Sequence, residues 1–233
     1  MIQRLARLLL LAPLFMLATP AQADERRYML SGFDRIRVDG PFEVVVVSGA
    51  SAVAVASGEG RSLDSVAVRV QGTTLVVAPS VNAWGGYPGA ARVVPRVTVT
   101  ASALRAAAMT GGGRLTIDRM RGARIELTLT GAGTLSVNDA QADRIDASLI
   151  GTGAMTLGGK ALNGRFESSG AGAIDASGMA VSALTVNWQS AGDGRFAARD
   201  TATIRAAGQG GVTVDGNPAC LVNGPGPVVC GTK

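Results

Sequence analysis

A glycine repeat between residues 111 and 216 limits what this chain can fold into. Pairs of glycines with one residue between them recur about every 20 residues, a spacing typical of a solenoid. Glycine adopts backbone conformations that other residues avoid, so each pair is predicted to form a tight corner between two coils. The pairs are Gly111-Gly-Gly113, Gly131-Ala-Gly133, Gly151-Thr-Gly153, Gly170-Ala-Gly172, Gly192-Asp-Gly194 and Gly208-Gln-Gly210.

Apolar and polar residues alternate in two short segments of each repeat, which predicts strands that bury one face. Successive coils then pair as parallel strands at a spacing of about 4.8 Å, so the fold class is an all-β solenoid. Trp188 falls at an inward position, and we expect Gly170 and Gly208 at the equivalent positions of the neighbouring coils. The predicted inward columns are Leu115, Leu135, Met155, Ile174, Phe196 and Val212 in the first segments, and Ile125, Ile145, Phe166, Leu184 and Ile204 in the second.

The N-terminus has the features of an export signal. Arg4 and Arg7 precede the apolar run Leu8–Leu17, and Ala21-Gln22-Ala23 is a small-x-small cleavage site. The run is too short to span a bilayer stably, and no second apolar run predicts a membrane span. We expect a secreted chain that begins at Asp24 and resides in the periplasm or at the outer surface of the cell.

The remainder of the chain is predicted to form one domain. Glycine accounts for 32 of 233 residues and aromatic residues for 4%, a composition that suits thin stacked coils. We divide the chain into a cleaved signal peptide (1–23), an N-terminal extension (24–31) and a solenoid domain (32–231). Removing the two arginines of the signal peptide leaves 20 basic against 17 acidic residues, a net charge of +3, which gives no reason to expect a nucleic-acid partner.

A loop with two aromatic residues is the first candidate binding site. Residues 33–78 are predicted to form less regular strands that cap the first coil, and residues 79–92 break the strand pattern. The loop contains Trp84 and Tyr87 and ends at Arg92. Exposed aromatic rings suit sugar faces and protein partners, and an arginine adds hydrogen bonds to an acidic ligand. The alternative is that Trp84 folds back and covers the flank of the solenoid.

Charged residues form the second candidate surface. Arg124, Arg144 and Arg165 are predicted to occupy one outward column, and Glu126, Asp146 and Glu167 the next. The arginines would offset the repulsion between stacked carboxylates, so the favoured interpretation is an exposed, charge-balanced ladder worth little stability per pair. The alternatives are a face that binds a repeating polymer and a carboxylate column that takes calcium.

Cys220 and Cys230 are the only cysteines. In an exported protein, two cysteines ten residues apart predict a disulfide, which would pin the last coil where no further coil covers its apolar end. Two thiols in a chain without histidine offer too few ligands for a zinc site, so neither a metal nor a cofactor is expected.

Several of these features together resemble one known family. The sequence from Gly32 to Val44 is GFDRIRVDGPFEV, and it is followed by the Gly-x-Gly corners and the Cys220/Cys230 tail. This combination, over about residues 32–231, resembles the bacterial family described as putative auto-transporter adhesin, head GIN domain. The resemblance implies a right-handed parallel β-helix, a location outside the cytoplasm, an adhesin-like role and no catalytic residues to carry over.

The function that the sequence favours is non-enzymatic. The absence of histidine excludes Ser-His and Cys-His nucleophile systems. We expect a binding or adhesin-like module of the cell envelope with a glycan or an envelope protein as partner. The alternatives are a purely structural envelope solenoid and a polysaccharide-active enzyme that would use Asp146 with Glu126 or Glu167. The exposed end coils leave the oligomeric state open.

Overall fold

The computed structural model describes residues 24–80 and 94–232, which form one winding β-sheet. These residues contain the short helix α1 at Gly60–Leu63. The strands are β1 Asp24–Met29, β2 Arg35–Asp39, β3 Glu43–Ser48, β4 Val53–Gly58, β5 Val66–Gln71, β6 Thr74–Pro79, β7 Arg96–Ala101, β8 Ala106–Thr110, β9 Arg114–Gly131, β10 Thr134–Gly151, β11 Ala154–Gly170, β12 Ala173–Ser190, β13 Gly194–Ala206, β14 Val212–Asp215, β15 Ala219–Asn223 and β16 Val228–Thr232.

The regular coils are the long strands β9 to β13, which bend around the interior and pair with one another in parallel. Within each segment, buried and partly exposed residues alternate, because successive side chains of a strand point to opposite faces. The interior is a continuous apolar core along the stack. The protein is a β-solenoid of about 6 turns with coils of ~20 residues, as the glycine repeat predicted.

The N-terminal end of the stack is built differently from the coils. β4 pairs antiparallel with both β1 and β7, and β5 forms an antiparallel hairpin with β6. The hairpin turns at Gly72, whose φ of +61° lies in the left-handed region that glycine favours. These strands confirm the predicted irregular cap, and β1 shows that residues 24–29 of the predicted extension form its edge strand.

Stacked glycines form the corners. Gly151 has a φ of +123°, and a Cβ on it would lie 2.5 Å from the carbonyl oxygen of Gly131 on the preceding coil. One corner departs from the glycine pattern, because Ser190 takes the position that pairs with Gly170. The Ser190 hydroxyl donates to the carbonyl oxygen of Gly172 (2.6 Å) and accepts from the N–H of Gly192 (3.1 Å). The fifth corner is therefore Ser190-Ala-Gly192, and the prediction of Gly192-Asp-Gly194 was wrong.

The Ser190 corner moves the following strand relative to the predicted columns. Gly194, and not Phe196, lies between Ile174 and Val212 in the first inward column. Phe196 lies one column further on, paired with Val214. The predicted register of this strand was wrong by two residues. A search for glycine pairs does not detect Ser190, whose hydroxyl stabilises the same turn by hydrogen bonds.

The second segments contain a similar correction. Gly164, and not Phe166, pairs with Ile145 and Leu184. The prediction placed Phe166 21 residues after Ile145, whereas Ile145 pairs with the residue 19 further on. The coil between Gly151 and Gly170 is one residue shorter than the preceding coil, and the register shifts after Val137. Phe166 consequently lies in the column of Val186, and Ile204 belongs to that column as well.

Trp188 is fully buried, which confirms its predicted place in the core. Its partners on the neighbouring coils are Ser168 and Ala206, not Gly170 and Gly208. The glycine that makes room for the indole is Gly194, at the start of β13. A Cβ on Gly194 would lie 3.0 Å from the Trp188 ring and 2.8 Å from the Phe196 ring. Small residues therefore do accompany the large one: Ser168 and Ala206 in its own column, and Gly194 beside its ring.

The last coil carries the predicted disulfide between Cys220 and Cys230. Cys220 extends the inward column of Ala202, and Cys230 extends that of Val214. The bridge therefore crosses the end of the apolar interior. Within residues 24–80 and 94–232, no helix is long and apolar enough to cross a membrane.

Candidate binding face

The outward side chains of the second strand segments form a face of the solenoid that we call the polar face. Residues that lie at the same distance before the corner that closes their coil share a column of this face. Thr128, for example, lies three residues before Gly131. On this face, one column consists of Thr128, Ser148, Glu167, Asn187, Arg205 and Asn223. Side chains in such a column repeat about every 4.8 Å along the stack.

The charge ladder is present on this face, but with a different register from the predicted one. Arg124 and Arg144 share a column as predicted, whereas the third member of that column is Asn163. Arg165 instead follows Glu126 and Asp146, and Glu167 follows Ser148. The arginines had been matched by residue type, which placed Arg165 21 residues after Arg144, whereas the shorter coil before Gly170 pairs Arg144 with Asn163, 19 residues on. The three carboxylates are therefore not stacked in one column.

Arginine side chains satisfy the carboxylates of the ladder. Asp146 accepts from Arg124 Nη2 at 3.0 Å and from Arg144 Nη2 at 2.9 Å. Glu167 accepts from Arg165 Nη2 at 2.6 Å, and Arg124 also pairs with Glu126 at 3.1 Å. These contacts balance the charges of this surface, and exposed pairs of this kind contribute little stability each.

The same contacts set the proton affinity of two of the carboxylates. The hydrogen bond from Arg144 holds the pKa of Asp146 below its ordinary value against the opposing effect of partial burial, and the charges of Arg144 and Arg124 add to it. The hydrogen bond from Arg165 likewise lowers the pKa of Glu167. A glycosidase acid needs a raised pKa, and these two carboxylates are shifted in the opposite direction.

An open groove runs along the polar face beside the ladder. The axial groove, as we call it, has a volume of about 510 Å³ and crosses four consecutive coils and the terminal coil. Its floor is the column of Ser148, Glu167, Asn187, Arg205 and Asn223, and its edge contains Ile150, Ser169 and Gln189. Its lining mixes hydroxyl, amide, carboxylate and guanidinium groups with the large exposed apolar side chain of Ile150.

The groove differs from the ladder because most of its polar groups are not used within the protein. Arg205 is exposed, and none of the described residues forms an ion pair or a hydrogen bond with its guanidinium. Asn187 makes one long contact, 3.4 Å from its Nδ2 to Glu167 Oε1. Donors and acceptors that the fold leaves unoccupied are available to a ligand.

Sequence reasoning did not identify Asn187, Gln189, Arg205 or Asn223. Asn187, Arg205 and Asn223 lie three residues before Ser190, Gly208 and Gly226, and this position is the signal that would have found them. Asn187 and Gln189 could be placed only by recognising Ser190 as a corner. The predicted site residues Trp84, Tyr87 and Arg92 lie outside the described residues. In the part of the chain that the structure describes, no group of three acidic or cysteine side chains could hold a metal ion.

The sequence matches the family model described as "Putative auto-transporter adhesin, head GIN domain" over residues 32–218. The chain belongs to this family. The match covers the N-terminal cap from β2 onward and all of the regular coils, and it agrees with the resemblance of the opening motif and the glycine corners. No match was found among curated proteins.

Solved structures share the fold of this family member. A putative adhesin from Bacteroides fragilis superposes with a TM-score of 0.81 at 17% identity, covering 90% of this chain and 97% of that one. A putative lipid binding protein from Parabacteroides distasonis gives 0.71 at 17% identity, covering 92% and 98%. A putative adhesin from Parabacteroides merdae gives 0.68 at 16% identity, covering 92% and 97%. At these identities the likeness establishes the solenoid fold.

Proposed function

We propose that this family member is an exported, non-enzymatic, adhesin-like binding module of the bacterial cell envelope, and that a glycan binds in its axial groove. The observation that carries the proposal is Arg205, an exposed cation without a partner among the described residues, in a groove lined by amide and hydroxyl groups. The names of the family and of two of its structural relatives agree with a binding role.

The chemistry of the groove suits a sugar polymer. Asn187 and Gln189 each offer a donor and an acceptor, which matches the hydroxyl groups of a sugar ring. Arg205 would form charge-assisted hydrogen bonds with a carboxylate or phosphate on the same polymer. Because successive coils repeat about every 4.8 Å, the groove presents these groups in sequence to a ligand that lies along the solenoid axis.

Binding to a glycan array, followed by titration with the best glycan, tests this proposal. Arg205→Ala with Asn187→Ala should weaken binding by about tenfold or more, since each lost hydrogen bond to a charged or amide group costs about 1 kcal/mol or more. Arg195→Ala is the matched control, because Arg195 is an exposed arginine of the same strand, β13, that lies outside the groove. Equal loss of affinity in both variants would remove the groove from the proposal.

The loop at residues 79–92 is a separate hypothesis, and the same array distinguishes it. If the loop carries recognition, Trp84→Ala with Tyr87→Ala abolishes binding while the groove variant binds normally. A protein that binds no glycan and captures no envelope protein would instead support the purely structural role.

The enzymatic alternative has its own measurement. Envelope polysaccharide incubated with the protein should show no increase in reducing ends or in unsaturated products. A time-dependent increase that Asp146→Asn abolishes would replace the binding module with a polysaccharide-active enzyme.

The proposed export also has a direct test. Cleavage after Ala23 predicts that the N-terminus of the protein recovered from the cell envelope fraction is Asp24. Recovery of a chain that retains Leu8–Leu17 would contradict the signal-peptide assignment.

A further inference from the structure

The two ends of the solenoid protect their strand edges differently. At the N-terminal end, the edge strand β1 begins with four consecutive charged residues, Asp24 to Arg27. Charged side chains are a common means of preventing a strand edge from pairing with another chain. At the C-terminal end, residues 216–232 include no Asp, Glu, Lys or Arg.

The terminal coil also exposes apolar side chains. Leu221 and Val229 point outward and are 59% and 55% exposed. Val222 is 43% exposed although it occupies an inward column, in which Ile204 on the preceding coil is fully buried. The exposure of Val222 arises because none of the described residues covers the last layer of the core.

The backbone edges of this coil are available for pairing. β15 pairs only with β13 and β16 only with β14 among the described strands, so one side of each strand lacks a strand partner. Pro218, Pro225 and Pro227 lie between the strands and not within them, so they do not remove edge N–H groups from β15 or β16. The Cys220–Cys230 bridge joins the two strands and holds both edges in place before any partner arrives.

We propose that the terminal coil is a dimer interface, at which a second copy of this chain docks end to end around a two-fold axis. A two-fold operation places each terminal strand antiparallel to a strand of the partner, which is a favourable pairing geometry. A charge-free apolar surface is complementary to itself, so contact between two such surfaces leaves no buried unpaired charge. Contact with the N-terminal end would instead bury the charges of β1, and it would build an open filament.

Light scattering of the full exported chain tests the proposal. At about 0.1 mM protein, an interface with a Kd of about 1 µM is almost fully occupied, so the expected mass is twice that of the chain. Leu221→Lys with Val229→Lys places like charges at the interface on side chains that are exposed in the monomer. This variant should raise the dissociation constant by at least about tenfold.

The matched control is Val47→Lys with Leu162→Lys, which introduces the same charges at exposed apolar side chains, 38% and 54% exposed, that lie outside both the terminal coil and the axial groove. This control should remain dimeric. A monomeric native chain, a mass that grows without limit, or equal dissociation of both variants would overturn the proposal. Neither variant changes Arg205, Asn187 or Asn223, so the outcome is independent of glycan binding.

Hydrogen exchange of the native chain gives a second readout that needs no variant. Amide protection in 219–223 and 228–232 should increase with protein concentration, while protection in β9 to β12 stays constant. Protection of the terminal coil that does not depend on concentration would equally reject the dimer.

Discussion

The indole Nε1 of Trp188 donates a hydrogen bond of 3.0 Å to the carbonyl oxygen of Gly192, four residues further along the chain. Gly192 belongs to the corner that Ser190 forms, and its N–H binds the Ser190 hydroxyl. The largest core side chain and the one corner without a leading glycine are thus connected through a single residue. Trp188 also packs edge to face against Phe196, with ring centroids 5.9 Å apart.

Trp188→Ala should therefore destabilise the protein by roughly 3–5 kcal/mol, because it leaves a cavity in a close-packed interior. Trp188→Phe keeps most of the ring contacts and loses the indole donor, so it should cost less, about 1–3 kcal/mol. Urea unfolding monitored by circular dichroism measures both values. A urea unfolding curve that is the same for Trp188→Ala and the native protein would contradict the interior position of this side chain.

Gly151→Ala tests the corners. A Cβ at this position faces the backbone oxygen of Gly131 at 2.5 Å and requires an L-residue at a φ of +123°. We expect a loss of about 1–3 kcal/mol from backbone strain, with the steric conflict in addition. Gly112→Ala is the control, since a Cβ on Gly112 has open space around it and its φ is not positive. Similar melting temperatures for the two variants would show that the stacked glycines are not needed for the turn.

The Cys220–Cys230 bridge closes a loop of ten residues. Loop entropy predicts that it stabilises the folded chain by on the order of 2–3 kcal/mol. Cys220→Ala with Cys230→Ala, or reduction of the native protein, should lower the unfolding free energy by that amount. Hydrogen exchange should show the loss mainly in β15 and β16. Two free thiols in the native exported protein, found by mass spectrometry, would contradict the bridge.

The arginine contacts of Asp146 predict how stability depends on pH. The pKa of Asp146 is lower in the folded state than its ordinary value of 3.8, so its stabilising effect is complete above that value and is lost as the pH falls through the folded pKa. Asp146→Asn should cost no more than about 1 kcal/mol at pH 7, since the pair is near the surface.

Urea unfolding of both proteins from neutral to acidic pH measures this effect. The difference in unfolding free energy between native and variant protein should shrink below about pH 4, where the carboxylate of the unfolded chain begins to accept a proton while the folded one is still charged. A difference that stays constant down to strongly acidic pH would show that Arg144 and Arg124 do not act on Asp146.

The sequence was sufficient to predict the solenoid, the strand segments and most of the core. Alternation with period 2 assigns a side chain to the inside or outside without knowledge of its neighbours, and for this reason Ile125, Ile145 and Leu184 were placed correctly. The cysteine spacing was sufficient for the disulfide, because only one pairing of two cysteines exists.

The tertiary structure decided which side chains stand next to each other on adjacent coils. Coils of unequal length shift the register between coils without changing the alternation within a strand, so Arg165 and Phe166 kept their predicted sides and changed their columns. Ser190 replaces a corner glycine through hydrogen bonds to Gly172 and Gly192, which are contacts between coils that no local pattern contains. The axial groove depends on this register, because its column joins residues that are adjacent only after the coils have stacked.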